Sequence, residues 1–172
     1  MHNYSAAKDR RHLDRFKFVR NNNSMSIVEE YKNQMFWRNW ISYIEKLPIK
    51  DSDTILDLGC ANGEVTKLIS ERCLQVIGID FNSELLKEAE KTNFSHNIKY
   101  LNTNISNINK QVLPIGDGIW TSFTIAYFPE ADSVLNTWLD VVKPGGWIAI
   151  TEMSYLFAHF PLSHTTRDTF KK

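Results

Sequence analysis

Ile55-Leu-Asp-Leu-Gly-Cys-Ala-Asn-Gly-Glu64 decides how the rest of the chain is read. Thr54-Ile-Leu-Asp-Leu58 is a short apolar run with the look of a buried strand. Gly63 to Glu71 carries Val65, Leu68 and Ile69 at helical spacing and reads as a helix. The loop between them bears Gly59 and Gly63, which let backbone turn tightly and approach a ligand closely. In a doubly wound sheet, ligands bind outside the carboxyl ends of the strands, where such a loop sits.

The loop also restricts the ligand. A dinucleotide fingerprint counted from Gly59 needs glycine at 61 and glycine or alanine at 64. The chain has Ala61 and Glu64, and an acid at the start of the helix repels a pyrophosphate. A P-loop is excluded because no Gly-Lys-Ser/Thr follows. Asp80 closes the next apolar run, Val76-Ile-Gly-Ile-Asp80, where a carboxylate can accept two hydrogen bonds from ribose hydroxyls. Phe81 beside it can cover one face of an adenine. A cofactor with an adenosine but no pyrophosphate fits both features.

Outward from the loop, strands and helices alternate. Gln75–Ile79 is a second strand, Ile98–Leu101 a third, Gly118–Phe123 a fourth and Trp147–Ile150 a fifth. A helix capped by Asn82 or Ser83 runs through Leu85, Leu86 and Ala89. Another spans Ala131 to Val142, stopped by Lys143-Pro-Gly-Gly146. Upstream, Ser26-Ile-Val-Glu29 has the spacing of a capping box. Phe36, Trp40, Ile44 and Leu47 then recur at helical spacing up to Pro48. Short apolar strands alternating with helices mean an α/β, Rossmann-like doubly wound sheet of mainly parallel strands.

The order of motifs resembles that of class I S-adenosylmethionine-dependent methyltransferases, from about Tyr31 to Met153. Asp57-Leu-Gly-Cys-Ala-Asn-Gly63 resembles their glycine-rich first motif, and Asp80 matches their ribose-binding acid. Ile98 to Ile105 resembles the stretch that holds the adenine edge. Asp117 to Phe123 resembles the fourth-strand motif, and Leu139 to Gly146 the motif before strand five. The chain departs from the family at Ala61, where a glycine is usual, and at Asn104, where an aspartate is usual.

The resemblance implies S-adenosyl-L-methionine as cofactor and S-adenosyl-L-homocysteine as product. It places Asp57, Gly59, Cys60, Ala61, Asn62, Gly63, Asp80, Phe81, Asn104, Ile105 and Thr121 against the cofactor. Asn104 Oδ1 would accept from the adenine amino group, and the Ile105 N–H would serve a ring nitrogen. Tyr31 and Trp37, on an N-terminal helix that roofs the site in similar enzymes, join the cofactor set. Phe123 and Tyr127 join the acceptor site. Methyl transfer is an in-line displacement that needs a base only when the acceptor is protonated, so no catalytic residue is assigned. His159 and His164 are the tail's candidate bases. Thr121-Ser-Phe-Thr124 stands where methylases of base amino groups carry Asn/Asp-Pro-Pro-aromatic, which disfavours that reaction.

Composition narrows the partners. Lys+Arg and Asp+Glu are both 20, so the net charge is zero and a nucleic-acid partner is disfavoured. Two cysteines make no disulfide framework, five histidines show no metal-ligand spacing, and no run is long enough to span a membrane. A cytoplasmic location with reduced thiols is expected, with a small organic molecule as acceptor. Two alternatives stay open: a cofactor-binding regulatory or partner subunit without turnover, and an RNA or protein methyltransferase module. Residues 1–24 form a basic leader, whose first 23 residues hold a surplus of four positive charges. Residues 25–153 form the cofactor-binding domain, and 154–172 a tail or the start of a roof segment. The family's sheet has seven strands, and the 19 residues after Met153 are too few for the last two. The expectation is a five-stranded sheet whose fifth-strand edge is covered by a second copy, a partner or the chain's own ends.

Overall fold

The computed structural model describes residues 26–152, the side chains of 34–37 excepted. Helix α1 covers Ile27–Trp37 and opens with the expected capping box. Ser26 and Glu29 each receive the other's backbone N–H, which satisfies two otherwise orphaned donors. The single amphipathic segment expected up to Pro48 is instead two helices. Arg38 is extended, and Asn39 starts the short α2, Trp40–Ile44, by accepting the Ser42 N–H. Asparagine offers the backbone this alternative partner, and it wins over helix continuation.

The sheet follows in chain order: β1 (Thr54–Leu58), α3 (Glu64–Ser70), β2 (Gln75–Asp80), α4 (Ser83–Thr92) and β3 (Ile98–Asn102). After a 3₁₀ turn at Ile105–Asn107 come β4 (Gly116–Ser122), a second 3₁₀ turn at Ile125–Tyr127, α5 (Ala131–Leu139) and β5 (Val142–Thr151). Strand order is β3-β2-β1-β4-β5, and every pairing is parallel. The direction of winding reverses between β1 and β4, so a crevice opens at their carboxyl ends.

Two apolar clusters cover the two faces of the sheet. One gathers Leu56, Leu58, Ile77, Ile79 and Ile119 under α5, with Trp138 fully buried. The other gathers Ile55, Val76, Trp120 and Ile69 under α2 and α3, with Trp40 and Ile44. Ile69 of α3 is fully buried, whereas Val65 and Leu68 pack at the margin. Alternation along each central strand sends neighbouring side chains to opposite clusters, as a sheet covered on both faces requires.

Two boundaries differ from expectation around β5. Helix α5 ends at Leu139 rather than Val142, because Val141 bonds back to Trp138 and Val142 already pairs with Gly116. Lys143-Pro-Gly-Gly146 therefore lies within β5, as a bulge between the pairs Gly116↔Val142 and Gly118↔Trp147. Gly145 turns it at φ +80°, and Lys143 Nζ holds it to Asp117 Oδ1 at 2.6 Å. Asp117 Oδ2 meanwhile accepts the Thr54 N–H at 2.9 Å, so one carboxylate fixes both the bulge and the start of β1.

Candidate functional site

The crevice at the β1–β4 reversal is bounded by the Gly59–Gly63 loop. Gly59 and Cys60 both donate to the Ile79 carbonyl, at 2.8 and 3.1 Å, which ties the loop to the end of β2. Gly59 and Gly63 stand at φ +77° and +78°. A Cβ at Gly59 would collide with the Thr124 side chain beyond β4, and one at Gly63 with the Tyr100 hydroxyl and Ala89. Both sites thus need glycine for conformation and for space. Ala61 adopts φ +49°, a conformation the usual glycine would take without strain.

Asp80 is the knot of the site. It is 8% exposed at the end of β2. Its Oδ2 accepts the Ala61 N–H at 2.9 Å and its Oδ1 the Asn82 N–H at 2.8 Å. Burial raises its pKa, and these backbone bonds partly offset that. The carboxylate therefore clamps the glycine loop to the start of α4, a role beyond the ribose contact expected from sequence. The backbone at Phe81 also favours the charged carboxylate.

Asp57 lies beneath the loop, buried, and accepts from Thr66 Oγ1 at 2.5 Å. Burial pushes its carboxyl up to about 7, Thr66 opposes that, and the nearby Asp80 adds to it. It serves as a support under the loop. Cys60 is buried too, and burial pushes its thiol well up, so its contribution to the crevice is backbone. Asn62 is buried, and its carbonyl accepts from Asn93 Nδ2 at 2.8 Å. Glu64 stands in the first turn of α3, its pKa raised by burial.

The remaining expected residues divide. Phe81 is 70% exposed beside Asp80. Asn104 Oδ1 accepts both the N–H and the hydroxyl of Ser106, at 3.0 and 2.8 Å, so its lone pairs are already engaged in capping the 3₁₀ turn. Ile105 is buried, and its carbonyl accepts from Trp138 Nε1 at 2.9 Å, which braces that turn from below. Thr121 is fully buried, and its hydroxyl donates to the Leu58 carbonyl at 2.8 Å. Its side chain joins β4 to β1 under the crevice and does not line it.

Tyr31 of α1 comes over this region. Burial, then the nearby Tyr127, Asp80 and Glu30, push its hydroxyl up to about 12. Lys32 Nζ pairs with Glu88 Oε1 at 2.7 Å, which ties α1 to α4. Tyr127 is exposed, and Phe123 follows β4 at φ +52°. The Trp37 side chain, His159, His164, the basic leader and the tail lie outside the described residues.

Residues 49–172 match a family model described as a methyltransferase domain. The chain belongs to the methyltransferase domain family. Among curated relatives, it is 31% identical over 125 residues to a demethylmenaquinone methyltransferase of Lactobacillus johnsonii, covering 69% of this chain and 50% of that one. It is 24% identical to a ubiquinone biosynthesis O-methyltransferase of Nitrosospira multiformis, covering 69% and 52%. The fold matches the S-adenosylmethionine-dependent methyltransferase of Mesorhizobium loti, with TM-score 0.57, 23% identity and coverage of 65% and 51%. The chain thus spans about half the length of the curated relatives it matches. No helix among the described residues is long and apolar enough to cross a membrane.

Arg38 is the residue that sequence reasoning missed. Its guanidinium lies 3.8 Å from the centre of the Phe123 ring and 5.5 Å from that of Trp40. The break between α1 and α2 puts it there, and only the helix-poor Asn39 next to it hinted at that break.

Proposed function

We propose that this methyltransferase domain binds S-adenosyl-L-methionine at the Gly59–Gly63 loop and transfers its methyl group to a small organic acceptor. The observation that carries the reading is Asp80, which closes the loop at the mouth of the β1–β4 crevice. The donor set fits the cofactor. Asp57, Glu64 and Asp80 surround the loop with carboxylates, which repel phosphate but suit a ribose diol and a positively charged sulfur.

Asp80 would accept from the ribose hydroxyls. Phe81 would cover one adenine face, and the backbone at Asn104–Ile105 would meet the ring edge. Tyr31 would close the site from α1. S-adenosylmethionine, when bound, would supply an electrophilic methyl on a sulfonium, open to in-line displacement in which the bond to the acceptor forms as the bond to a neutral thioether breaks. The chain's own share is to orient and to exclude water: the glycine loop fixes one reactant, and the β4 end near Phe123 and Tyr127 fixes the other. Both named relatives have quinone pathways in their names, which supports a small acceptor.

Isothermal titration of the full chain with S-adenosylmethionine and S-adenosylhomocysteine tests this. Binding in the micromolar range, weakened about tenfold or more by Asp80→Ala, is the expected result. No heat at millimolar cofactor would refute it. Binding with no turnover across a broad acceptor panel would assign the chain to a cofactor-holding subunit instead.

A further inference from the structure

Thr151, the last residue of β5, and Glu152 after it both hold the turn that follows β4. The Thr151 carbonyl accepts the Phe123 N–H at 2.8 Å. Glu152 Oε2 accepts the Ala126 N–H at 2.9 Å. Within that turn, Thr124 fills the space against Gly59. Glu152 is thus fixed to the segment that abuts the glycine loop.

Glu152 also lines a cleft of about 360 Å³, together with Arg38, Trp40, Tyr43, Phe123 and Thr151. Small-molecule sites run from roughly 300 to 1,000 Å³, so this one suits a molecule of about one ring. Its walls are aromatic: Trp40 meets Phe123 edge-on, with centroids 5.9 Å apart, and Tyr43 at 6.1 Å. A carboxylate can only accept hydrogen bonds, and Oε1 of Glu152 receives none among the described residues. The ligand that complements this cleft is therefore a flat molecule carrying a hydrogen-bond donor. Where the donor is also the atom to be methylated, its proton must go to a base. A hydroxyl oxygen already has a lone pair for the attack and can shed its proton as the new bond forms. An ammonium must lose its proton first, and a carboxylate is too weak a base to take it readily.

We propose that Glu152 accepts the hydrogen bond of a hydroxyl on a flat methyl acceptor seated in this cleft, and takes its proton when the oxygen is methylated. The proton passes from the hydroxyl to Glu152 Oε1. The oxygen's pair forms the new bond to carbon, and the pair of the carbon–sulfur bond leaves with the neutral thioether. The inference rests on the methyl-donor reading of the neighbouring loop. It narrows the reaction to O-methylation of a hydroxyl borne on a ring.

4-Nitrophenol and its methyl ether, 4-nitroanisole, are the probes, since they share a ring and differ in the donor. Each is titrated into the full chain at mildly acidic pH, where the phenol is un-ionised, while the fluorescence of Trp40 and its neighbours is followed. S-adenosylhomocysteine is titrated in parallel by calorimetry. The phenol is expected to bind about tenfold or more tighter than the ether, with Glu152→Gln removing most of that preference. Glutamine keeps an acceptor for the Ala126 N–H, so the turn retains its bond. The pH at which bound 4-nitrophenol turns yellow reports its proton affinity, which should be about tenfold higher on the unaltered chain than on Glu152→Gln. Arg38 and Tyr43 in the cleft and Tyr127 on the turn are common to both, so the difference belongs to Glu152. A role confined to the turn would leave that colour change where it is. S-adenosylhomocysteine binding should survive the substitution. Equal binding of phenol and ether, no binding of the phenol, or a folded Glu152→Gln with the same preference or the same colour change would each overturn the proposal. If Glu152→Gln does not fold, the phenol and its ether on the unaltered chain still decide. Glu152-dependent binding of the phenol without any S-adenosylhomocysteine binding would uphold the hydroxyl site and refute the donor reading.

Discussion

The two sides of the crevice are built differently. On the β1–β2 side, the loop is held through its backbone N–H groups: the Ile79 carbonyl receives two, and the Asp80 carboxylate receives that of Ala61 together with that of Asn82 at the start of α4. On the β4–β5 side, the boundary is made of side chains from distant segments, with Arg38 stacked on Phe123 and Glu152 bonded to Ala126. A backbone-built site has one geometry and tolerates few substitutions. A site walled by side chains can change its ligand by exchanging a single residue. The first suits a cofactor that stays the same, and the second an acceptor that differs between relatives.

The contrast can be broken by substitution, beginning where the loss should be greatest. Gly63→Val forces a β-branched residue into φ +78° and into Tyr100. It should cost about 2–5 kcal/mol in denaturant unfolding and abolish cofactor binding. An unfolding midpoint like that of the parent would show that the loop is adaptable after all. Asp80→Ala strands the buried N–H of Ala61 and should cost about 1–3 kcal/mol. Asp80→Asn, which keeps an acceptor, should cost less, and the difference between the two measures the clamp.

Thr66→Val removes the hydroxyl that steadies Asp57 and should cost about 1–2 kcal/mol. This loss should depend on pH. Burial pushes the folded carboxyl up to about 7 from its ordinary 3.8, so its burial favours the folded state at low pH. That advantage is lost as pH rises from about 4 through 7. Thr66 stabilises the charged form, so the cost of Thr66→Val should be larger at pH 8.5 than at pH 5.5. Equal costs at both would mean that Asp57 does not titrate in this window. Smallest of all, Ala61→Gly trades relief of a left-handed alanine against a lost buried methyl, each about 1 kcal/mol. Melting temperatures should barely differ, and a fall of more than a few degrees would show that the methyl packs better than its exposure suggests.

The same contrast governs what could be read in advance. The β1–β2 side lies within Thr54–Asp80, and its glycines, apolar strands and terminal acid are local signals. The five strands and their parallel order follow from the same alternation. The α1–α2 break depended on Asn39 preferring the Ser42 N–H to a helix interior, a choice that apolar spacing does not register. The bulge at Lys143–Gly146 has the composition of a turn, and only pairing with β4 draws it into a strand. Thr121 and Asn104 both carry polar side chains that could meet a ligand or the protein itself. Their hydroxyl and amide found partners in Leu58 and Ser106, and sequence does not show which partner will win. Arg38 and Phe123 are far apart in the chain, and their stacking exists only once the fold has formed.

The central position of β1 also has a consequence in time. Its first neighbour, β2, follows within a few tens of residues, but the Asp117 carboxylate that bonds Thr54 lies 63 residues downstream. If β1, β2 and β3 pair first, one long flank of β1 waits for β4. Long-range parallel pairing of this kind is slow, and the waiting edge is adhesive. In pulse-labelled refolding, the Ile77 amide should gain protection before that of Ile119. The arrival of β4 buries Trp120 and covers the second flank of β1, and β5 then covers β4.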